Sequence, residues 1–268
     1  IGNFDGLHKG HQSILHKIKT NAKKTNSKTI VFFTEPHASE YFANKQDFKF
    51  LPPPRICSWR EKFELLRDFG IDFAFFLKFN NSLQTMTPEK FISDILDNVG
   101  LCSFTVGDDF RFGINREGDF ELLQSWGNQN DIFVSNTDTL KIYNERVSST
   151  RIRQALLDSD FSLANELLGR PYSFSGKVVH GQQLGRTIDV PTANIWMPSQ
   201  KLPISGVYAV ECLLEDKFLK GIANMGIRPT VGGKKPVLEV HLFDFNEDIY
   251  SKRIQVEFKY KIREEKKF

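Results

Sequence analysis

The stretch GRPYSFSG, Gly169 to Gly176, divides the chain into two kinds of sequence. Upstream, from Lys28 to about Leu168, short apolar runs alternate with helical patterns. TIVFFT reads as a buried strand, RICSWREKFELLRDFG as a helix stopped by Gly70, and IDFAFFL as the next strand. PEKFISDILDNVG reads as a helix with proline at its start and glycine at its end. SFTVG, GDFELLQSWGNQN and DIFVSN continue the alternation. Continuous apolar strands separated by helices predict a parallel sheet covered on both faces. Downstream of the divide the period becomes two and helical stretches disappear. GVYAVECLLEDKFLKGIANMG predicts a hairpin turning near Glu215–Lys217, and VLEVHLFDF and RIQVEFKYKIREE are two more strands. Short strands of this kind predict a small antiparallel barrel. The expected organisation is an α/β, Rossmann-like parallel-sheet domain over residues 1–168 and a small antiparallel β-barrel over 169–268.

Composition sets the outer limits. The chain has 268 residues, 40% hydrophobic and 26% charged, which is an ordinary globular balance rather than a disordered one. A net charge of +3 gives no reason to expect nucleic acid as a partner. The basic run Lys17, Lys19, Lys23, Lys24 and Lys28 reads as the solvated face of a helix. No apolar run approaches the ~18 residues of a membrane span, and no secretory signal is visible. Cys57, Cys102 and Cys212 match neither a disulfide framework nor a zinc site, which points to a reducing cytoplasm. The chain opens without methionine and ends on REEKKF. Both ends are expected to be truncated, with a strand missing before Ile1. Oligomeric state is not legible.

Two stretches carry chemistry in the first half. GNFDGLHKGH, Gly2 to His11, puts two histidines three residues apart after a glycine-rich loop. Gly2 and Gly6 let the backbone bend and approach a ligand, and a helix is expected to begin near His8. Its first turn offers N–H groups and a positive dipole end, which favour phosphate. His8 and His11 share one face of that turn and can donate to phosphate oxygens. The same residues would also serve as a simple helix cap or core packing, and a metal pair is a weaker alternative. VSSTRIRQALL, Val147 to Leu157, places Ser148, Ser149 and Thr150 before a helical pattern, with Arg151 and Arg153 able to fork phosphate oxygens. Alone, it would equally be a capped helix with solvated arginines.

Together, GNFDGLHKGH and SSTRIR resemble the H-x-G-H loop and the I-S-S-T-x-x-R segment of the nucleotidylyltransferase superfamily. VGDDFRFGINREGD, Val106 to Asp119, resembles the matching segment of the bacterial bifunctional riboflavin kinase/FAD synthetases. The resemblance implies that Gly2, Asn3, His8, Gly10 and His11 serve the ATP phosphates. It also implies that Ser148, Ser149, Thr150, Arg151 and Arg153 hold the triphosphate.

The second half has its own candidate. GKVVHGQQLGRTIDVPTANI, Gly176 to Ile195, is glycine-rich, so Gly181 and Gly185 would let backbone amides wrap phosphate. The Thr192 hydroxyl and Asn194 carbonyl are hard oxygen donors suited to Mg2+. Unaided, this is a polar loop. Pro191-Thr192-Ala193-Asn194 resembles the riboflavin kinase motif that binds Mg–ATP, and NMGIRPTVGG and LEVHLFDFNEDIYSKRIQVEF agree with it. In LEVHLF, alternation puts Glu239 and His241 opposite Leu238, Val240 and Leu242. With the resemblance, Glu239 becomes the expected general base and His241 its rival. Two departures stand out. Asp189-Val190 replaces the family's Gly-Phe, and Ser251 stands where glycine is expected.

The implied activity is flavin cofactor synthesis. ATP phosphorylates riboflavin to FMN, and a second ATP adenylylates FMN to FAD with release of pyrophosphate. The partners are these small molecules, with no nucleic acid or membrane, and the flavin-binding residues are not legible. The rival readings are a nucleotidylyltransferase acting on a pantetheine or choline phosphate, and a non-enzymatic flavin-binding protein. The first leaves Pro191–Asn194 and Glu239 without a role, and the second leaves His8 and His11 without one.

Overall fold

The computed structural model describes residues 1–45, 51–180, 191–197, 202–230 and 233–265. Two compact units emerge. One comprises Ile1–Pro53 with Lys62–Val147, the other Pro54–Glu61 with Ser148–Phe268.

In the first unit, helix α1 (Lys9–Thr25) leads into strand β1 (Ile30–Glu35) and the short helix α2 (Ala38–Ala43). Helix α3 (Trp59–Asp68), which begins in the second unit, is followed by β2 (Phe73–Lys78), which pairs parallel with β1 from Ile30↔Phe73 to Glu35↔Lys78. Helix α4 (Asn81–Gln84) and α5 (Pro88–Phe91) follow. Thr87 caps α5 by accepting from Lys90 N, and Pro88 occupies the first turn, where its missing N–H costs nothing. The helical run ends at Gly100, φ 66°. Strand β3 (Ser103–Gly107), helix α6 (Phe120–Gln129) and strand β4 (Phe133–Thr137) form a second parallel pair with its crossover helix. A small hairpin, β5 (Lys141–Ile142) and β6 (Glu145–Arg146), closes the unit. Phe104, Val106, Leu123, Trp126 and Val134 form the core under β3 and β4, while Phe4, Leu15, Val31, Phe33 and Leu66 form the one beside β1.

The expectation that these strands are covered on both faces fails at β2. Phe73, Phe75 and Phe76 are 51%, 49% and 43% exposed. Among the described residues β2 pairs with β1 alone, in a two-stranded sheet.

Among the described residues the second unit contains helices α7 (Ser149–Leu157) and α8 (Phe161–Leu168) and six strands. These are β7 (Ser173–Val179), β8 (Ala193–Ile195), β9 (Gly206–Leu214), β10 (Lys217–Thr230), β11 (Gly233–Leu242) and β12 (Arg253–Arg263). They close into an antiparallel barrel in the order β10-β11-β8-β7-β12-β9. The β9–β10 hairpin turns at Glu215 and Asp216, with Glu215 at φ 55°. Alternation is clean along β11 and β12, where Leu238, Val240, Ile254, Val256 and Phe258 are buried. The Phe161 ring of α8 packs edge-on to Tyr208 at 5.7 Å and parallel to Phe258 at 6.4 Å. Among the described residues no helix is long and apolar enough to cross a membrane.

Phe161 is 4% exposed and joins a helix to the barrel wall. Phe161→Ala is expected to cost about 3–5 kcal/mol, as for large aromatic truncations in cores. Urea unfolding reads this as a lowered midpoint, and a loss below about 1 kcal/mol would contradict it.

Candidate functional site

The first candidate is built by a turn that only a few backbone conformations allow. Phe4 and Gly6 both take left-handed values, φ 48° and 76°, on either side of buried Asp5. This delivers His8 as the N-cap of α1, where its Nδ1 accepts from His11 N at 3.3 Å. Accepting at Nδ1 puts the His8 ring proton on Nε2. The same bond brings the two imidazoles into a stack, with centroids 3.6 Å apart and planes inclined by 15°. Gly10 is required by proximity. A Cβ there would lie 3.1 Å from His8 Nδ1 and 3.2 Å from the Val147 carbonyl oxygen. Gly2 N donates to Phe32 O at 3.0 Å, and exposed Asn3 accepts from Thr34 Oγ1 at 3.1 Å. The sequence-predicted residues Gly2, Asn3, His8, Gly10 and His11 therefore lie on one loop and helix start, beside β1.

His11 is electrostatically set apart. Its Nδ1 is buried with no hydrogen-bond partner among the described residues. Burial, then the neighbouring His8, then Lys62 push its pKa well below the ordinary imidazole value. His11 is thus held uncharged in the first turn of α1, beside the His8 cap.

Ser148 to Arg153 belong to the second unit. Ser148 caps α7, its Oγ accepting from Arg151 N at 3.2 Å, and Ser149 and Thr150 open the helix. Arg153 Nε donates to Pro54 O at 2.7 Å, so part of its guanidinium anchors the 54–61 segment. That segment is itself held by buried Glu61, which accepts from Ser58 N and from Ser175 N of β7.

The barrel candidate is a row across three strands. Asn194 of β8, Glu239 of β11 and Asn224 of β10 are consecutive register partners, so they share a face. Asn194 is buried, and Asn224 Oδ1 is buried without a partner among the described residues. His241, two residues along the same face, donates from Nδ1 to Pro191 O at 2.9 Å, which ties β11 to the start of the Pro191–Asn194 run. A cavity of about 630 Å³ opens beside this run, lined by Thr192, Phe245, Asn246, Asp248 and Tyr250 over Val240 and Leu242. Thr192 lines it, whereas Asn194 and Glu239 do not. Gly181, Gly185 and the Asp189-Val190 departure lie outside the described residues. Ser251 sits at φ 69°, which explains why glycine is the expected residue there. Sequence reasoning missed Asn224 and Lys62. Lys62 had a signal, because it falls four residues before Leu66 on the buried stripe of α3.

Comparison with known proteins bears directly on both candidates. Residues 1–151 match the FAD synthetase family model, and residues 168–268 match the riboflavin kinase model. The chain belongs to the bifunctional riboflavin kinase/FMN adenylyltransferase family. The Escherichia coli protein of that name is 44% identical over 270 residues, covering 100% of this chain and 85% of the relative. Those of Haemophilus influenzae and Pseudomonas fluorescens are 41% and 40% identical, covering 86% and 85% of their lengths. A crystal structure described as a macrolide-efflux protein from Streptococcus pneumoniae superposes with a TM-score of 0.80 at 29% identity. It covers 100% of this chain and 86% of that one.

The depressed His11 value has a thermodynamic consequence. The unfolded chain binds a proton at His11 near pH 6.5, whereas the folded chain does so only at lower pH. Neutral His11 therefore supports folding fully above about pH 6.5, and that support is lost as pH falls below it, at up to about 1.4 kcal/mol per pH unit. His11→Gln should flatten this dependence in urea unfolding between pH 7 and 5. Parallel stability curves for the two proteins would contradict it.

Proposed function

We propose that this chain converts riboflavin to FMN and FMN to FAD, with the two chemistries divided between residues 169–268 and residues 1–168. In the first step the γ-phosphoryl group of ATP passes to the riboflavin 5′-hydroxyl, giving FMN and ADP. In the second, FMN attacks the α-phosphate of another ATP, giving FAD and pyrophosphate. The observation that carries the reading is the coincidence of two family matches, in chain order, with two independent phosphate-directed arrangements. These are the stacked His8–His11 pair and the Asn194–Glu239 row.

Neither step requires a covalent enzyme intermediate. Both depend on positioning and on fixed donors where charge develops. In adenylyl transfer, Gly2, Asn3 and Gly10 let the chain close on the ATP phosphates, and His8 and His11 donate to them. Ser148, Ser149, Thr150, Arg151 and Arg153 hold the triphosphate. In riboflavin phosphorylation, Glu239 takes the proton of the attacking hydroxyl; Gly181 and Gly185, the expected phosphate-wrapping glycines, lie outside the described residues.

Thr192 and Asn194 would hold Mg2+. The donor set suits it: a hydroxyl and a buried carboxamide are hard oxygen ligands. Among the described residues no cluster of three or more His, Cys, Asp or Glu could cage a metal. A cation that keeps its waters and takes phosphate oxygens fits such a sparse site. When bound, Mg2+ would neutralise phosphate charge. A reducing, cytoplasmic setting is inferred from Cys57, Cys102 and Cys212, whose spacing matches neither a disulfide framework nor a zinc site.

Separate assays of the two steps test the assignment. Glu239→Gln should lower FMN formation by about 10²–10⁴, toward the lower end because loose phosphoryl transfer needs little base help. FAD formation from supplied FMN should be unchanged. His11→Ala should do the reverse, lowering FAD formation by about 10²–10³ while sparing riboflavin phosphorylation. If Glu239→Gln keeps its kinase rate while His241→Ala loses it, the base is His241. Equal loss of both activities in His11→Ala would contradict two separate sites.

A further inference from the structure

One buried polar atom of the barrel has no role in the chemistry above. Asn224 Oδ1 of β10 is shut away from solvent and has no hydrogen-bond partner among the described residues. An acceptor buried in this way destabilises a fold, and an apolar side chain of similar shape in its place is neutral or stabilising. A buried acceptor without a donor is accounted for when its donor forms only during the reaction.

The register of the barrel limits where that donor could come from. On the face that carries Asn224, the neighbours along β10 are Ile222, which is apolar, and Gly226, which has no side chain. Across to β9 the partner is Val207, also apolar. Across to β11 it is Glu239. Directly opposed residues hold their Cβ atoms about 4.5–5.5 Å apart, within reach of a glutamate and an asparagine side chain. His241 is the diagonal neighbour, but its Nδ1 donates to Pro191 O, which in the neutral ring leaves Nε2 an acceptor. Glu265 approaches this face at Gly226, where a Cβ would meet its carboxylate, yet Glu265 is exposed. Glu239 is thus the neighbour that combines direct opposition with a group able to gain a proton.

We propose that Asn224 is a positioning residue for riboflavin phosphorylation, its Oδ1 accepting a hydrogen bond from the Glu239 carboxyl once Glu239 has taken the proton of the attacking hydroxyl. An ionised carboxylate only accepts, so before the reaction Glu239 cannot serve Asn224. As the 5′ O–H bond of riboflavin breaks, its oxygen bonds to the γ-phosphorus of ATP, and ADP leaves with the electron pair of the broken P–O bond. The proton goes to a Glu239 carboxylate oxygen, and that new O–H donates to Asn224 Oδ1. The proton passes to water when FMN departs. The hydrogen bond exists only once proton transfer has begun, so it favours the transition state over the bound substrates. Asn224 touches neither riboflavin nor ATP and acts through Glu239.

The inference rests on the assignment of Glu239 as the base, and the test keeps the two apart. Full-length Asn224→Leu, Asn224→Ala and Asn224→Ser are assayed for FMN formation from riboflavin and Mg–ATP, alone and in a Glu239→Gln background. FAD formation from supplied FMN on the same preparations is the control. Asn224→Leu should lower kcat for FMN formation by about tenfold, the loss of one hydrogen bond made in the transition state. KM for riboflavin and for ATP should stay within about twofold, because nothing that binds substrate is removed. Asn224→Ser, which keeps an acceptor oxygen, should recover part of the rate, and FAD formation should stay within about twofold throughout. The urea midpoint of Asn224→Leu should be unchanged or higher, because the orphaned acceptor is gone. In the Glu239→Gln background Asn224→Leu should add no further loss. Should Asn224→Leu fail to fold, Asn224→Ala carries the same expectations for kcat, KM and the double variant. A raised KM for riboflavin at unchanged kcat would make Asn224 a substrate-binding residue and overturn the inference. So would a full further loss in the Glu239→Gln background, or a lowered urea midpoint with equal loss of both activities. If Glu239→Gln itself leaves FMN formation intact, the assignment of Glu239 fails instead.

Discussion

The bond from His11 N–H to His8 Nδ1 organises the first unit. It starts α1, fixes the His8 tautomer and stacks the two rings, so one interaction sets secondary structure and site geometry together. The left-handed residues before it and the bare Cα of Gly10 beside it exist to make that bond reachable. The first turn of a helix offers N–H donors and a positive dipole end to a polyanion, and the two stacked imidazoles stand at that end of α1.

The barrel reaches a comparable result by a different route. Closure of six strands fixes register, and register alone puts Asn194, Glu239 and Asn224 side by side. No loop has to be ordered to hold Glu239 in place. The alternation that buries Leu238 and Val240 is the same one that turns Glu239 outward, so core packing and site orientation are a single constraint. The His241–Pro191 bond then ties the strand that carries Glu239 to the run that carries Thr192 and Asn194.

Much of this was legible in the sequence because it is encoded locally. Periodicity switches at GRPYSFSG, the hairpin turns where Glu215-Asp216 breaks the alternation, and the H-x-G-H spacing alone puts His8 and His11 on one face. What escaped depends on long-range pairing. IDFAFFL is as apolar as TIVFFT, and nothing within it says that among the described residues β2 pairs with β1 alone. Arg153 reads as a phosphate ligand, yet its bond to Pro54 spans a sequence separation of 99 residues. Asn224 gains meaning only from Glu239 across the ladder. Ser251 is the reverse case, a departure noticed in sequence whose reason, a left-handed φ, is visible only in the backbone.

The central claim is that one chain uses two molecules of ATP in two different ways. It is tested most directly by supplying riboflavin with ATP labelled at either the γ- or the α-phosphate and separating the flavins with time. The account predicts that γ-label enters FMN first and persists in FAD, that α-label enters FAD alone, and that pyrophosphate appears in step with FAD. Label from the α-phosphate in FMN, or FAD formed without γ-label from riboflavin, would contradict it.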